Sequence, residues 1–227
     1  MCDVAVIEFF IEHCRIDEFN GKRVLEVGSR YINGSVRPFV ERFLKPREYI
    51  GIDIEPGKFV DLLLPAEKIV EYFGEMSFDV IISTELLEHV RDWRLVINNM
   101  KKVVREGGYI YITTRSIGFP YHGYPYDFWR YEIDDMKKIF SDFNIIALKR
   151  DPQQGILLKA KKPKDWRAAN LDNIALYSIL LGRRTKKIVK IEDLPLSRRI
   201  MLRFLSSKVR WLLPGILNTY LTKAFLT

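Results

Sequence analysis

The side chains best equipped for chemistry fall in two short stretches of this 227-residue chain. In "TELLEHV", Glu85, Glu88 and His89 form an E-x-x-E-H array on one helical turn. In "SIGFPYHGYPYDFWRYE", His122 and Asp127 sit among aromatic residues. Imidazole titrates near a pKa of about 6.5, so His89 and His122 suit proton removal from a hydroxyl near neutral pH, with Asp127 a third candidate base. Carboxylates and imidazole also ligate divalent ions, and Glu85, Glu88, His89 and His122 form a candidate set. The competing reading is that Glu88 and His89 only orient their helix. Arg115, Tyr121, Tyr124, Trp129 and Arg130 flank these groups and are the candidate acceptor contacts; for Trp129, core packing is an equal alternative. A polar pair inside an apolar loop favours function for His122 and Asp127.

A third stretch, "VLEVGSRYINGS", runs from β-formers into Gly28. Arg30 and Ile32 stand where a dinucleotide-binding turn places its further glycines. A pyrophosphate needs that close backbone approach, which argues against a dinucleotide. A ligand with a ribose and a cationic centre but no phosphate makes no such demand. Glu26 suits the cation. Asp53, 25 residues beyond Gly28, suits the ribose diol and lies near the expected spacing of roughly 20. The plainer readings are a turn support for Glu26 and a cap for Asp53.

These residues need a scaffold, and the pattern supplies one. Strands are expected at Arg23–Val27, Tyr49–Asp53, Val60–Leu62, Phe78–Ser83 and Tyr109–Thr113, with helices at residues 4–17, Ser35–Phe43, Ala66–Phe73 and Asp92–Val104. Such alternation makes an α/β sheet, mostly parallel, with helices on both faces. Two further strands, Asn144–Lys149 and Gly155–Lys161, follow a helix at Ile133–Phe140. The turn "RDPQQ" between them is too short for a crossover, so this last pair is antiparallel. Gly28, Asp53, Asp61, Thr84-Glu85 and Thr114-Arg115 then gather at the carboxyl ends of the strands, where such sheets bind ligands.

"LEVG", "YIGIDIEPG", "FDVIISTELLEHVRDW" and "REGGYIYITT" occur in the order and spacing of class I S-adenosylmethionine-dependent methyltransferases of Rossmann-like fold. The resemblance covers roughly residues 20–160. With "TTRSIGFPYHGYPYDFWRYE", it is closest in kind to small prokaryotic methyltransferases that modify sugars, lipids or other small acceptors. It implies a seven-stranded sheet and S-adenosylmethionine as cofactor. Glu26 and Gly28 then match the motif that contacts the ammonium and the methionine part, and Ser29 and Arg30 replace its other glycines and reach the cofactor carboxylate. Asp53 matches the ribose acid, with Ile54 against the adenine. Pro65 departs from the acid that often precedes "AE", which leaves the Ala66 amide for the adenine ring. Thr84 and Glu85 end the fourth strand beside the reactive methyl. Some methyltransferases of small RNAs and of quinones resemble "TELLEH" and use Mg²⁺.

The expectation is methyl transfer to a hydroxyl of a small-molecule, glycan or lipid-linked acceptor. The alternatives are a metal-assisted RNA 2′-O-methyltransferase and a cofactor-binding module without catalysis. No CxxC, P-loop or G-x-S-x-G is present, no Asn/Asp-Pro-Pro-Tyr follows the fourth strand, and neither cysteine lies near the site. Structural zinc, NTP chemistry, exocyclic-amine nucleobase chemistry and covalent thiolate chemistry thus lack their residues. The start carries no basic leader, and no run reaches the roughly 18 apolar residues of a membrane span, which fits a cytoplasmic protein.

Charge divides the chain. The sequence carries a net charge of +8, yet residues 161–227 alone hold 15 Lys+Arg against 4 Asp+Glu. Two regions are expected: a methyltransferase domain over 1–162 and a basic, amphipathic helical extension over 163–227. Three partners suit that extension, in descending order: its own domain or a second copy in a homodimer, an anionic membrane surface that would make the protein peripheral, and nucleic acid.

Overall fold

The computed structural model describes residues 3–206. Strands β1 (Arg23–Val27), β2 (Glu48–Asp53), β3 (Leu62–Leu63), β4 (Phe78–Thr84) and β5 (Val104–Arg115) pair in parallel. The short β6 (Trp129–Arg130) follows, then β7 (Asn144–Asp151) and β8 (Gly155–Lys161). The seven-stranded sheet runs β3-β2-β1-β4-β5-β8-β7, with β8 antiparallel to both neighbours. The expected order of elements and the antiparallel final pair are both present. The strand order reverses between β1 and β4, and that switch point fixes where a ligand cleft opens.

Side-chain alternation explains why both sheet faces are covered. In β1, Val24 joins one apolar cluster while Leu25 and Val27 join the other; in β4, Val80 and Ile82 oppose Ile81 in the same way. A strand buried on both sides needs apolar residues at every position, and "VLEV" and "VII" meet that need except at Glu26. That exception is the first structural sign of a site.

The helices differ from expectation at their ends. Residues 4–17 form two helices, α1 (Val4–His13) and α2 (Ile16–Phe19), because Cys14 and Arg15 are extended. Asp3 caps the first by accepting from the Val6 amide at 3.1 Å. α3 (Arg37–Phe39) carries Pro38 in its first turn and continues as a π-helical turn to Leu44, closed by Lys45 at φ +50°. β3 starts two residues later than expected and ends one later, with the Asp61 backbone and carboxylate both tied to Gly51. A 3₁₀ turn at Ala66–Lys68 leads into α4 (Ile69–Phe73). α5 (Trp93–Val103) is capped by Asp92, and α6 (Ile133–Ile139) precedes β7.

Beyond Lys162 the chain forms β9 (Leu176–Ser178) and β10 (Arg183–Thr185) before α7 (Leu196–Ser206). This region thus begins with strands, ahead of the helix that its amphipathic pattern suggested. β9 pairs antiparallel with β6 and β10, making a small second sheet. Leu171, Leu176, Leu180, Leu194 and Leu202 share the cluster that covers one face of the main sheet. Arg94 of α5 donates to the Leu171 and Ile174 carbonyls at 3.0 and 2.8 Å. The rest of the amphipathic tail read from the sequence, residues 207–227, lies outside the described residues.

Candidate active site

The turn after β1 is built on one carbonyl. The amides of Gly28 and Ser29 both donate to Ile52 O at 2.9 Å, which clamps β1 to β2. Gly28 has φ +81°, and a Cβ there would stand 3.0 Å from Leu86 Cδ1. The glycine is therefore needed by the turn and by Leu86, a neighbour across the cleft. Ser29 is buried beneath the turn: a Cβ on Gly51 would meet Ser29 Oγ at 2.6 Å and Phe59 O at 2.3 Å. Gly51 is thus a second glycine on which the site depends, and nothing in its own local sequence signals this.

Glu26 interrupts the apolar strand. Its carboxylate is buried and accepts from Tyr49 Oη at 2.8 Å. Burial pushes its carboxyl up to about 8, against the stabilising Tyr49 hydrogen bond and the charge of Arg37. Asp53, at the tip of β2, is partly exposed and accepts from the Arg30 and Glu55 amides at 3.3 and 3.1 Å. The Arg30 guanidinium pairs with Glu55. Asp61 is committed to Arg37 at 2.6 Å.

A cavity of about 690 Å³ opens at the switch point, a size within the usual range for cofactor sites. Every residue assigned to the cofactor from the sequence lines it. The donor set fits an adenosyl ligand bearing a cation: a buried acid whose proton is readily displaced by positive charge, and a partly exposed carboxylate at the next strand tip. Ile54 and Ala66 supply apolar surface between them.

Glu85 follows β4 with φ +55°, a left-handed conformation that costs energy in a non-glycine residue. Its carboxylate accepts from Thr113 Oγ1 at 2.8 Å and pairs with Arg115. Burial and the neighbouring Glu88 push Glu85 up to about 8, opposed by Arg115. Glu88 is buried and accepts from Thr114 Oγ1 at 2.8 Å through Oε2. Burial disfavours its charge, but the positive charge around it, with His89 the largest source, outweighs that and holds its carboxyl below the usual range.

The loop between β5 and β6 divides its residues differently from the sequence reading. His89 lines the cavity, and its ring lies 4.7 Å, centroid to centroid, from that of His122. His122 in turn contacts Asp127 at 2.9 Å from Nδ1. Asp127 is buried, and Arg130 grips it at 2.6 and 2.9 Å. Burial would raise the Asp127 carboxyl, but the Arg130 charge and hydrogen bonds, with those of His122, hold it well below the usual carboxylate range. Such an acid is a poor proton acceptor and a good anchor.

The five expected acceptor contacts do not line the cavity. Arg115 is buried against Glu85, Asp151 and Asp3. Arg130 is consumed by Asp127 and the carbonyls of Phe119, Pro120 and Trp129. Trp129 is a core residue whose Nε1 donates to Arg91 O at 3.0 Å. Tyr121 is buried and Tyr124 packs on the same core. Tyr126 and Phe128 line the cavity instead. The signal available in the sequence was only that Asp127 is the one charged residue between Tyr126 and Phe128.

Comparison with known proteins agrees with this geometry. A family model described as a methyltransferase domain matches residues 7–151, and the chain belongs to that family. It is a member of the class I S-adenosylmethionine-dependent methyltransferases, with S-adenosylmethionine as the cofactor. A ubiquinone biosynthesis O-methyltransferase of Vibrio atlanticus is 29% identical over 44% of this chain and 46% of its own. An (S)-coclaurine N-methyltransferase of Papaver somniferum is 24% identical over 48% and 34%. The match thus spans less than half the length of either relative. The crystal structure of a Burkholderia thailandensis 1,6-didemethyltoxoflavin-N1-methyltransferase, with its acceptor and S-adenosylhomocysteine bound, superposes with TM-score 0.53. It is 15% identical, with 64% of this chain and 72% of that one covered.

Proposed function

We propose that this chain methylates a hydroxyl oxygen of a small-molecule, glycan or lipid-linked acceptor, with His89 as the base that meets the acceptor. One observation carries the reading: of the three candidate bases, His89 alone lines the cavity, backed in turn by His122 and Asp127. S-adenosylmethionine supplies an electrophilic methyl when bound. Glu26 and Asp53 hold the cationic and ribose parts. Phe128 and Leu86 give an apolar wall beside the acceptor, with Tyr126 exposed at its rim. The acceptor hydroxyl gives its proton to the His89 ring. His89 Nδ1 is engaged by the Tyr126 carbonyl, which fixes the ring and leaves Nε2 to act.

The reading is tested by incubating the chain with deuteromethyl-labelled S-adenosylmethionine and a cell extract, then locating the label by NMR. A label on oxygen supports it; a label on nitrogen or carbon overturns the hydroxyl acceptor. The similar proteins differ in this respect, with an O-methyltransferase and two N-methyltransferases among them, which makes that distinction the informative one.

A second reading, metal-assisted transfer such as to an RNA 2′-hydroxyl, draws on a separate observation. Glu88, His89 and His122 each offer a ligand atom, all within 4.8 Å of one another. Glu88 Oε1 is buried with no hydrogen-bond partner among the described residues. Glu85 stands outside that trio, pulled aside by Arg115. In this reading a divalent ion would supply Lewis acidity to the acceptor oxygen.

A further inference from the structure

α7 is apolar on two opposite sides, which a helix serving only the core does not need. Leu202 and Leu205 are buried in the main cluster. Leu196 and Ile200, four residues apart, are 63% and 61% exposed. At about 100° per residue, Leu196 and Ile200 lie roughly opposite Leu202 and Leu205. The outward face of this helix therefore presents two apolar side chains to solvent.

The approach to α7 is basic as well. Arg183, Lys186, Lys187 and Lys190 are exposed along β10 and the segment that follows it. Glu192 and Asp193 are exposed acids of the same segment, while Asp135 is buried and takes Arg184 of β10 as its partner. Among the described residues no helix is long and apolar enough to cross a membrane. We propose that this face docks on an anionic membrane surface, with Leu196 and Ile200 inserted at the headgroup boundary and Arg183, Lys186, Lys187 and Lys190 on the lipid charges.

Charge selects this occupant. A second copy would place the same basic row against itself, and like charges brought together oppose association. Nucleic acid offers the phosphates but no use for an exposed leucine and isoleucine four residues apart. An anionic bilayer satisfies both halves, since interfacial binding grows with buried apolar area and with attraction to anionic lipid. Each basic residue near such a surface contributes about 1 kcal/mol, roughly a fivefold gain in binding.

The test is flotation of the full-length chain with phosphatidylcholine vesicles, with and without about one-third phosphatidylglycerol. We expect flotation with the anionic vesicles only, and release by salt that shortens the Debye length. L196E/I200E should lose flotation at least tenfold while keeping its melting temperature, because both sites are solvent-facing. K186E/K187E/K190E should lose it through charge alone. Failure of the wild-type chain to float with anionic vesicles overturns the proposal, as does equal flotation with neutral ones. Undiminished flotation of L196E/I200E overturns it too, and assigns binding to residues 207–227. A wild-type dimer in light scattering that L196E/I200E dissociates makes the face a self-association surface. Nuclease-sensitive retention of RNA without vesicle binding makes it a nucleic-acid surface.

Discussion

His122 Nδ1 lies 2.9 Å from Asp127 Oδ2, and the His122 amide donates to that same oxygen at 2.9 Å. One buried carboxylate thus holds a histidine by both its ring and its backbone, while Arg130 neutralises it from the other side. This fastens the loop that covers the cavity to the start of β6.

Asp127→Asn should therefore act on stability before it acts on chemistry. The substitution leaves Arg130 buried without its counter-charge, and breaking a buried pair costs about 3–5 kcal/mol. Calorimetric unfolding should show that loss. A variant that melts like the wild type but turns over slowly would return Asp127 to a direct role. By contrast His89→Ala should lower turnover with the melting temperature and cofactor affinity nearly unchanged.

Cofactor affinity should depend on pH through Glu26. Its folded-state pKa is raised from an ordinary 4.5 to about 8, so the free protein keeps this proton at neutral pH. A bound cation favours the carboxylate, so binding expels the proton. Affinity should rise with pH and level off above about 8, and Glu26→Gln should flatten the dependence. The stabilisation from holding the proton is complete below 4.5 and lost as pH rises through about 8, so the cofactor-free protein should melt at lower temperature across that window. Isothermal titration in buffers of different ionisation enthalpy reads the proton directly. Equal pH slopes for the wild type and Glu26→Gln would remove Glu26 from the cation site.

The strand-tip carboxylate is expected to contribute directly. Asp53→Ala should weaken S-adenosylmethionine binding by about 1.5–3 kcal/mol, the range for a hydrogen bond to a charged group. Titration calorimetry showing unchanged affinity would place the ribose elsewhere.

Gly51→Ala should harm the protein more than an ordinary glycine substitution. The added Cβ would fall 2.3 Å from Phe59 O and 2.6 Å from Ser29 Oγ, so the β1 turn or the segment before β3 must shift. Overpacking of this kind costs about 1–3 kcal/mol. Denaturant titration should show it, together with weaker cofactor binding.

Activity should survive prolonged chelation if His89 acts as a base. Loss of activity with EDTA, restored by a divalent ion and absent in Glu88→Gln, would instead establish the trio of Glu88, His89 and His122 as a metal site.

Local sequence was enough for much of this protein. The alternation in "RVLEV" and "FDVIIST" defines strands buried on both faces, and the short "RDPQQ" link forces an antiparallel last pair, because chain geometry leaves no other route. Glu26, Gly28 and Asp53 were legible because a charge in an apolar strand, a turn glycine and an acid at a strand tip each break a local rule. What tertiary structure alone decided is which polar groups remain available. Arg115 looks in sequence like an acceptor contact, yet it is drawn into buried ion pairs by Glu85 and Asp151, carboxylates that only the fold brings to it. Gly51 reads as an ordinary strand glycine until Phe59 and Ser29 close on it. The segment after Lys162 carries its charge pattern openly, but its strands form because β6 offers an edge to β9. Periodicity is a property of neighbours along the chain; pairing of charges and closing of edges depend on neighbours in space.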